Sequence, residues 1–207
     1  MNTFQLSGVA RTDTGKKATK LDRANGRIPC VAYGRGGTEH FTVAPADVRK
    51  LVFTPSFNIV ELNVNGSDMR AILKDVQYHP TTDAIEHIDF LRLEDDYAVK
   101  AEIPLRTKGV SPGVKGGGRL VQSVRTIKVK VKPEQLVDEL FVDISGLQLG
   151  DAVRVRDIDV PEGIKVMTNS AVPVALIEIP RALRSAETAA AKQAVGADEA
   201  EAETEEA

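Results

Sequence analysis

A chain of 207 residues is long enough for two modest domains, each with a core of its own. Hydrophobic residues make up 42% but aromatic ones only 4%, with no Trp, so the core must rely on Val, Ile and Leu, a composition suited to short β-strands. A single Cys excludes an internal disulfide, MNTFQLSGVAR lacks the apolar stretch of a signal peptide, and the run from Val172 to Ile177 is too short to cross a bilayer; a cytoplasmic protein without membrane contact is expected.

The net charge of -3 conceals a segregation along the chain. Residues 1–40 carry seven basic and three acidic side chains, residues 98–135 nine and two, and residues 181–207 three and seven. Attraction to phosphate decays over ~8 Å at physiological salt, so these local blocks matter more than the total.

In chain order, Phe4, Leu6 and Val9 alternate with polar neighbours and predict an opening strand over 3–11. KKATKLDRANGR predicts a short basic helix or ordered loop, bounded by Gly15 and by Asn25-Gly26 as a left-handed stop. Ile28 to Tyr33 is an apolar run leading into Gly34-Arg35-Gly36-Gly37, a buried strand with a turn at its exit. PADVRKLVF predicts a small helix with Val48, Leu51 and Val52 on one face. Ile59 to Val64 and Met69 to Tyr78 flank Asn65-Gly66, the dipeptide of a type I′ hairpin, and a further strand runs from Ala84 to Leu93.

Glu94-Asp95-Asp96 is an acidic break that bounds an N-terminal β domain at 1–93. A β-rich second domain is expected over 97–180, where RTIKVKVK turns Ile127, Val129 and Val131 inward and Lys128, Lys130 and Lys132 outward. Residues 181–207 form an acidic Ala- and Glu-rich segment expected to be a disordered tail. The fold class is thus mainly β with short helices.

Few residues suit catalysis. His87 and Asp89, two apart in a strand, share a face and read as a hydrogen-bonded pair at a strand edge; a metal site recruiting His79 or His40 has no HxxxH or CxxC spacing behind it. The run Gly113-Val114-Lys115-Gly116-Gly117-Gly118-Arg119 lacks the Lys-Ser/Thr ending of a phosphate-cradling P-loop and is expected to be a flexible β-loop. In a helix over 16–23, Lys16, Lys20 and Arg23 lie at i, i+4 and i+7, either as a solvated face or as a row meeting phosphates. Tyr33 beside its glycine turn either stacks or hydrogen-bonds a ligand, or caps the core.

Three motifs in order, GKKATK, GRIPCVAYGRG and LKDVQYHPTTDAIEHIDF, resemble the family of bacterial large-subunit ribosomal protein number twenty-five, which includes the general stress protein Ctc members. The remainder resembles the longer, two-domain form of that family. The resemblance implies a small N-terminal β-barrel that binds the internal-loop region of 5S rRNA at the central protuberance of the large ribosomal subunit, a monomer off the ribosome with neighbouring ribosomal proteins as further partners, no cofactor and no enzymatic activity. It carries RNA contact to Arg11, Lys16, Thr19, Lys20, Arg23, Tyr33, His87 and Asp89. The chain departs from the family at Lys20-Leu21-Asp22, where arginines often stand, and lysine lacks the planar fork that grips phosphate bidentately. A carboxylate among phosphates is repelled, so Asp89 is expected to accept a hydrogen bond from a base or sugar rather than to add affinity through charge. A stress-associated assembly factor that visits the subunit transiently is the alternative function, and a hydrolase using His87 and Asp89 with a metal is a more remote one.

Overall fold

A computed structural model describes residues 3–95, 97–181 and 185. The chain is mainly β and packs as two compact units. One comprises Met1–Leu105, Thr126–Leu140 and Val160–Thr168; the other comprises Arg106–Arg125, Phe141–Asp159 and the chain from Asn169 onward.

Six strands of the first unit close into a barrel: β1 (Thr3–Ala10), β2 (Ile28–Gly34), β3 (Gly37–Val43), β4 (Ile59–Val64), β5 (Ser67–Tyr78) and β6 (Ile85–Arg92), in the order β1-β3-β2-β6-β5-β4. Two of the seams are parallel, β1 with β4 and β2 with β6, and join segments far apart in sequence. The hairpin between β4 and β5 turns at Asn65 and Gly66, with φ of 49° and 88°, the left-handed pair that a type I′ turn needs. Closure removes every open edge, so no strand of the barrel offers an unpaired ladder to another chain.

Alternation fills the interior. Leu6, Cys30, Ala32, Phe41, Val60, Leu62, Ile88 and Phe90 are buried, and the Phe41 and Phe90 rings lie 5.8 Å apart. The helix α1 (Lys16–Ala24) buries no residue, whereas α2 (Pro45–Phe53) adds Val48 and Leu51 to the barrel core. Pro45 begins α2 where its missing N–H costs nothing.

Beyond the barrel run β7 (Val99–Lys108), α3 (Pro112–Lys115), β8 (Arg119–Gln122), β9 (Thr126–Val131), β10 (Leu140–Asp143), β11 (Ala152–Arg154), β12 (Lys165–Val166) and β13 (Pro173–Glu178). They form a four-stranded sheet, β10-β7-β9-β12, and a three-stranded sheet, β11-β13-β8. In β9, Ile127, Val129 and Val131 are buried and the intervening lysines exposed, as the alternation predicts. The expected acidic tail lies outside the described residues, apart from Arg181 and Ser185.

The glycine-rich run differs from its expected form as a loose β-loop. Its first residues make the single helical turn α3, because the Ser111 hydroxyl accepts from the N–H groups of Gly113 and Val114 and donates to the Leu147 carbonyl at 2.6 Å. Gly113 is buried where a Cβ would stand 2.7 Å from the Gln148 carbonyl carbon, a backbone atom with little room to retreat. Gly113→Ala is therefore expected to destabilise the chain by about 1–3 kcal/mol, the usual cost of overpacking. Urea denaturation tests this; an unchanged midpoint would contradict the tight approach.

Candidate nucleic-acid interface

The helix α1 starts at Gly15, whose φ of 107° suits glycine, and has no side-chain cap and no acidic residue in its first turn. Lys16 and Lys17 occupy that turn instead, at the positive end of the helix dipole, where an anion would be favoured. Lys16, Lys17 and Lys20 are all exposed.

With no buried residue to anchor it, α1 is held by two arginines. Arg11, with its side chain only 11% exposed, reaches from the end of β1 to the Asp13 carbonyl at 3.2 Å, to Thr19 Oγ1 at 3.3 Å and to the Asp22 carboxylate at 3.2 Å. Thr19 Oγ1 in turn donates to the Gly15 carbonyl at 2.9 Å. Arg23 donates through Nε and Nη2 to the Glu86 carbonyl at 3.2 and 3.0 Å, tying the far end of α1 to β6.

The eight residues singled out in the sequence thus separate by what they touch. Lys16 and Lys20 project into solvent. Arg11, Thr19 and Arg23 are engaged within the protein and brace α1, so the expected row of Lys16, Lys20 and Arg23 has one guanidinium turned back onto the barrel. Asp22, which in sequence looked only like an acidic intrusion, is the partner of Arg11. No local pattern announces that pairing, because it spans the junction between a strand and a helix.

Beside α1, the outer surface of β2, β6 and β5 presents the remaining three. Register sets Val31 opposite Asp89 on one side of β6, and Asp75 opposite Asp89 and Gln77 opposite His87 on the other. His87 Nδ1 lies 2.7 Å from Asp89 Oδ1, and the two side chains are about one-quarter exposed, at 25% and 27%. The contact is out of line for a hydrogen bond, and Nδ1 is buried with no aligned partner. The pair does share one face, but it is not at a strand edge: β6 is hydrogen-bonded on both sides, and closure of the barrel is what alternation within one strand does not reveal.

Tyr33 is half-buried on the same surface. Burial, and then the carboxylates of Asp89 and Asp75, hold its phenol above the ordinary value, so the hydroxyl remains a neutral donor. Asp75 escaped the sequence reading because β5 is irregular between Leu73 and Asp75, which breaks the alternation that would have shown its face.

Among the described residues no three His, Cys, Asp or Glu side chains converge to hold a metal ion. Cys30 is buried, and its thiol is pushed up to about 12, chiefly by burial and then by Asp89, with Arg11 acting in the opposite direction, so it is not a nucleophile at neutral pH. No helix among the described residues is long and apolar enough to cross a membrane.

A protein of Phocaeicola vulgatus named large ribosomal subunit protein bL25 is 37% identical over 93% of this chain and 100% of its own length. The chain belongs to the bL25 family of large-subunit ribosomal proteins. The bL25 proteins of Porphyromonas gingivalis and Cytophaga hutchinsonii are 41% and 38% identical, covering 90% and 93% of this chain and 97% and 100% of their own. The model of the Ribosomal L25p family matches residues 6–90, and that of the C-terminal domain of ribosomal protein TL5 matches residues 98–181. As a bL25-family member the chain is a structural component of the large ribosomal subunit and not an enzyme.

Proposed function

We propose that the chain anchors 5S rRNA at the central protuberance of the large subunit, through α1 and the adjoining outer face of β2, β5 and β6. The observation that carries this reading is the juxtaposition of three exposed lysines on an internally braced helix with a surface of hydrogen-bonding groups. Lys16, Lys17 and Lys20 neutralise phosphates, while Arg11, Thr19 and Arg23 act mainly by fixing α1 against β1 and β6. Tyr33, His87 and Asp89 supply a phenol, an imidazole and a carboxylate that meet base edges or sugars of an irregular RNA loop. A β surface of this kind fits the wide, shallow minor groove of A-form RNA.

On this reading the RNA-binding domain spans 1–93 and a second domain 97–180. All six barrel strands lie within 3–92 and pair only with one another. A fragment ending at Leu93 is expected to fold and to bind 5S rRNA. With three phosphates neutralised, the slope of log K against log[salt] for the fragment is expected at roughly -2 to -3, from ~0.7 to 0.9 per phosphate. A folded fragment that does not bind 5S rRNA, while the full chain does, overturns the assignment of the site to the barrel.

A further inference from the structure

The four-stranded sheet carries an arrangement that the barrel site does not use. Register sets Lys100 of β7 directly opposite Lys130 of β9, and Lys165 of β12 opposite Lys130 from the other side. The three side chains stand in one row across adjacent strands, all of them exposed. The next row is built differently: there Lys128 faces Glu102, and their charged groups lie 3.4 Å apart. Lys100, Lys130 and Lys165 form no ion pair with an acidic side chain among the described residues.

Directly opposed residues on neighbouring strands hold their Cβ atoms ~4.5–5.5 Å apart, and like charges at that distance repel. Such a row is unfavourable in the free protein and becomes favourable when a polyanion lies across it. Strands ~4.8 Å apart give the row a span of about 10 Å, and lysine ammonium groups on flexible stems adapt to phosphates without a fixed geometry. No aromatic side chain stands in the row itself, although the exposed Tyr97 lines the same hollow as Lys100 and Lys130. We propose that Lys100, Lys130 and Lys165 form a second RNA contact, which binds the phosphate backbone of an A-form segment without reading its sequence. Lys100 and Lys130 line one hollow with Tyr33 of the barrel site, so the two contacts adjoin and are told apart by substitution.

The test uses the full chain carrying Lys16→Gln and Lys20→Gln, which lessens the barrel's own contribution, and a short A-form RNA duplex unrelated to 5S rRNA. Adding Lys100→Gln, Lys130→Gln and Lys165→Gln is expected to weaken duplex binding about tenfold or more at low salt and to flatten the salt slope by about 2–3. The three Lys→Arg substitutions in their place are expected to retain both affinity and slope. Relief of repulsion should leave the melting temperature of the glutamine variant equal or higher at low salt, which separates the effect from misfolding. Unchanged affinity and slope in the glutamine variant, or loss of binding in the folded arginine variant, overturns the proposal. The barrel reading is judged separately, by the fragment titration.

Discussion

Asp89→Ala is expected to weaken 5S rRNA binding roughly 5- to 150-fold, corresponding to ~1–3 kcal/mol for a hydrogen-bond donor left unpaired at the RNA interface. Charge alone predicts the reverse sign. Asp89 faces Asp75 across β5 and β6 and would lie close to phosphates, so a purely electrostatic interface binds more tightly when the carboxylate is removed. The salt slope distinguishes the two accounts further. Loss of a recognition contact leaves the slope nearly unaltered, whereas Lys16→Ala weakens binding and flattens it by about one phosphate's worth, ~0.7 to 0.9. The measurement is a titration of 5S rRNA at several salt concentrations, after circular dichroism confirms the barrel. An internal control comes from Tyr33: without Asp89 its phenol should titrate at lower pH, since that carboxylate is one of the groups holding it up. Tighter binding by the folded variant would remove Asp89 from recognition and leave His87 and Asp89 as a neighbouring pair on the barrel surface.

Phe90→Ala is expected to cost about 3–5 kcal/mol of stability. Phe90 is fully buried, its ring 5.8 Å from that of Phe41, and it alternates with Asp89 along β6 so that one residue fills the core while the next faces outward. Phe41, Leu62 and Ile88 already fill the surrounding core, so closing the space would require them to leave their packed positions. Because a domain of this size is typically stable by only about 5–15 kcal/mol, the variant should stand near the edge of unfolding at physiological temperature. It should also lose RNA binding, since the strand that carries His87 and Asp89 is positioned by this ring. Urea denaturation provides the test, with Tyr78→Ala, at a residue 44% exposed, as a comparison expected to cost far less. A Phe90→Ala loss below about 1 kcal/mol would mean that the core is not centred on this ring pair.

Local signals in the sequence determined much of the strand and helix pattern. Asn65-Gly66 dictates its hairpin because few residue pairs adopt left-handed backbone at two successive positions, and the alternation in RTIKVKVK dictates which side chains of β9 are buried. The apolar face of α2 was legible for the same reason, while the basic segment bounded by Gly15 and Asn25-Gly26 read as a short helix or an ordered loop and is the helix α1. Shared motifs pointed to the family and to its eight expected contact residues. Alternation shows which face a side chain takes but not which strand lies beside it, and only the tertiary structure decided the neighbours. The parallel seams that close the barrel, the Asp75 beside Asp89, and the row of Lys100, Lys130 and Lys165 all depend on register between distant segments. The engagement of Arg11 with Thr19 and Asp22, and of Arg23 with the Glu86 carbonyl, likewise depends on where α1 comes to rest. A guanidinium has the same charge whether it meets phosphate or braces a helix, so sequence alone could not separate those roles; the distance to a partner does.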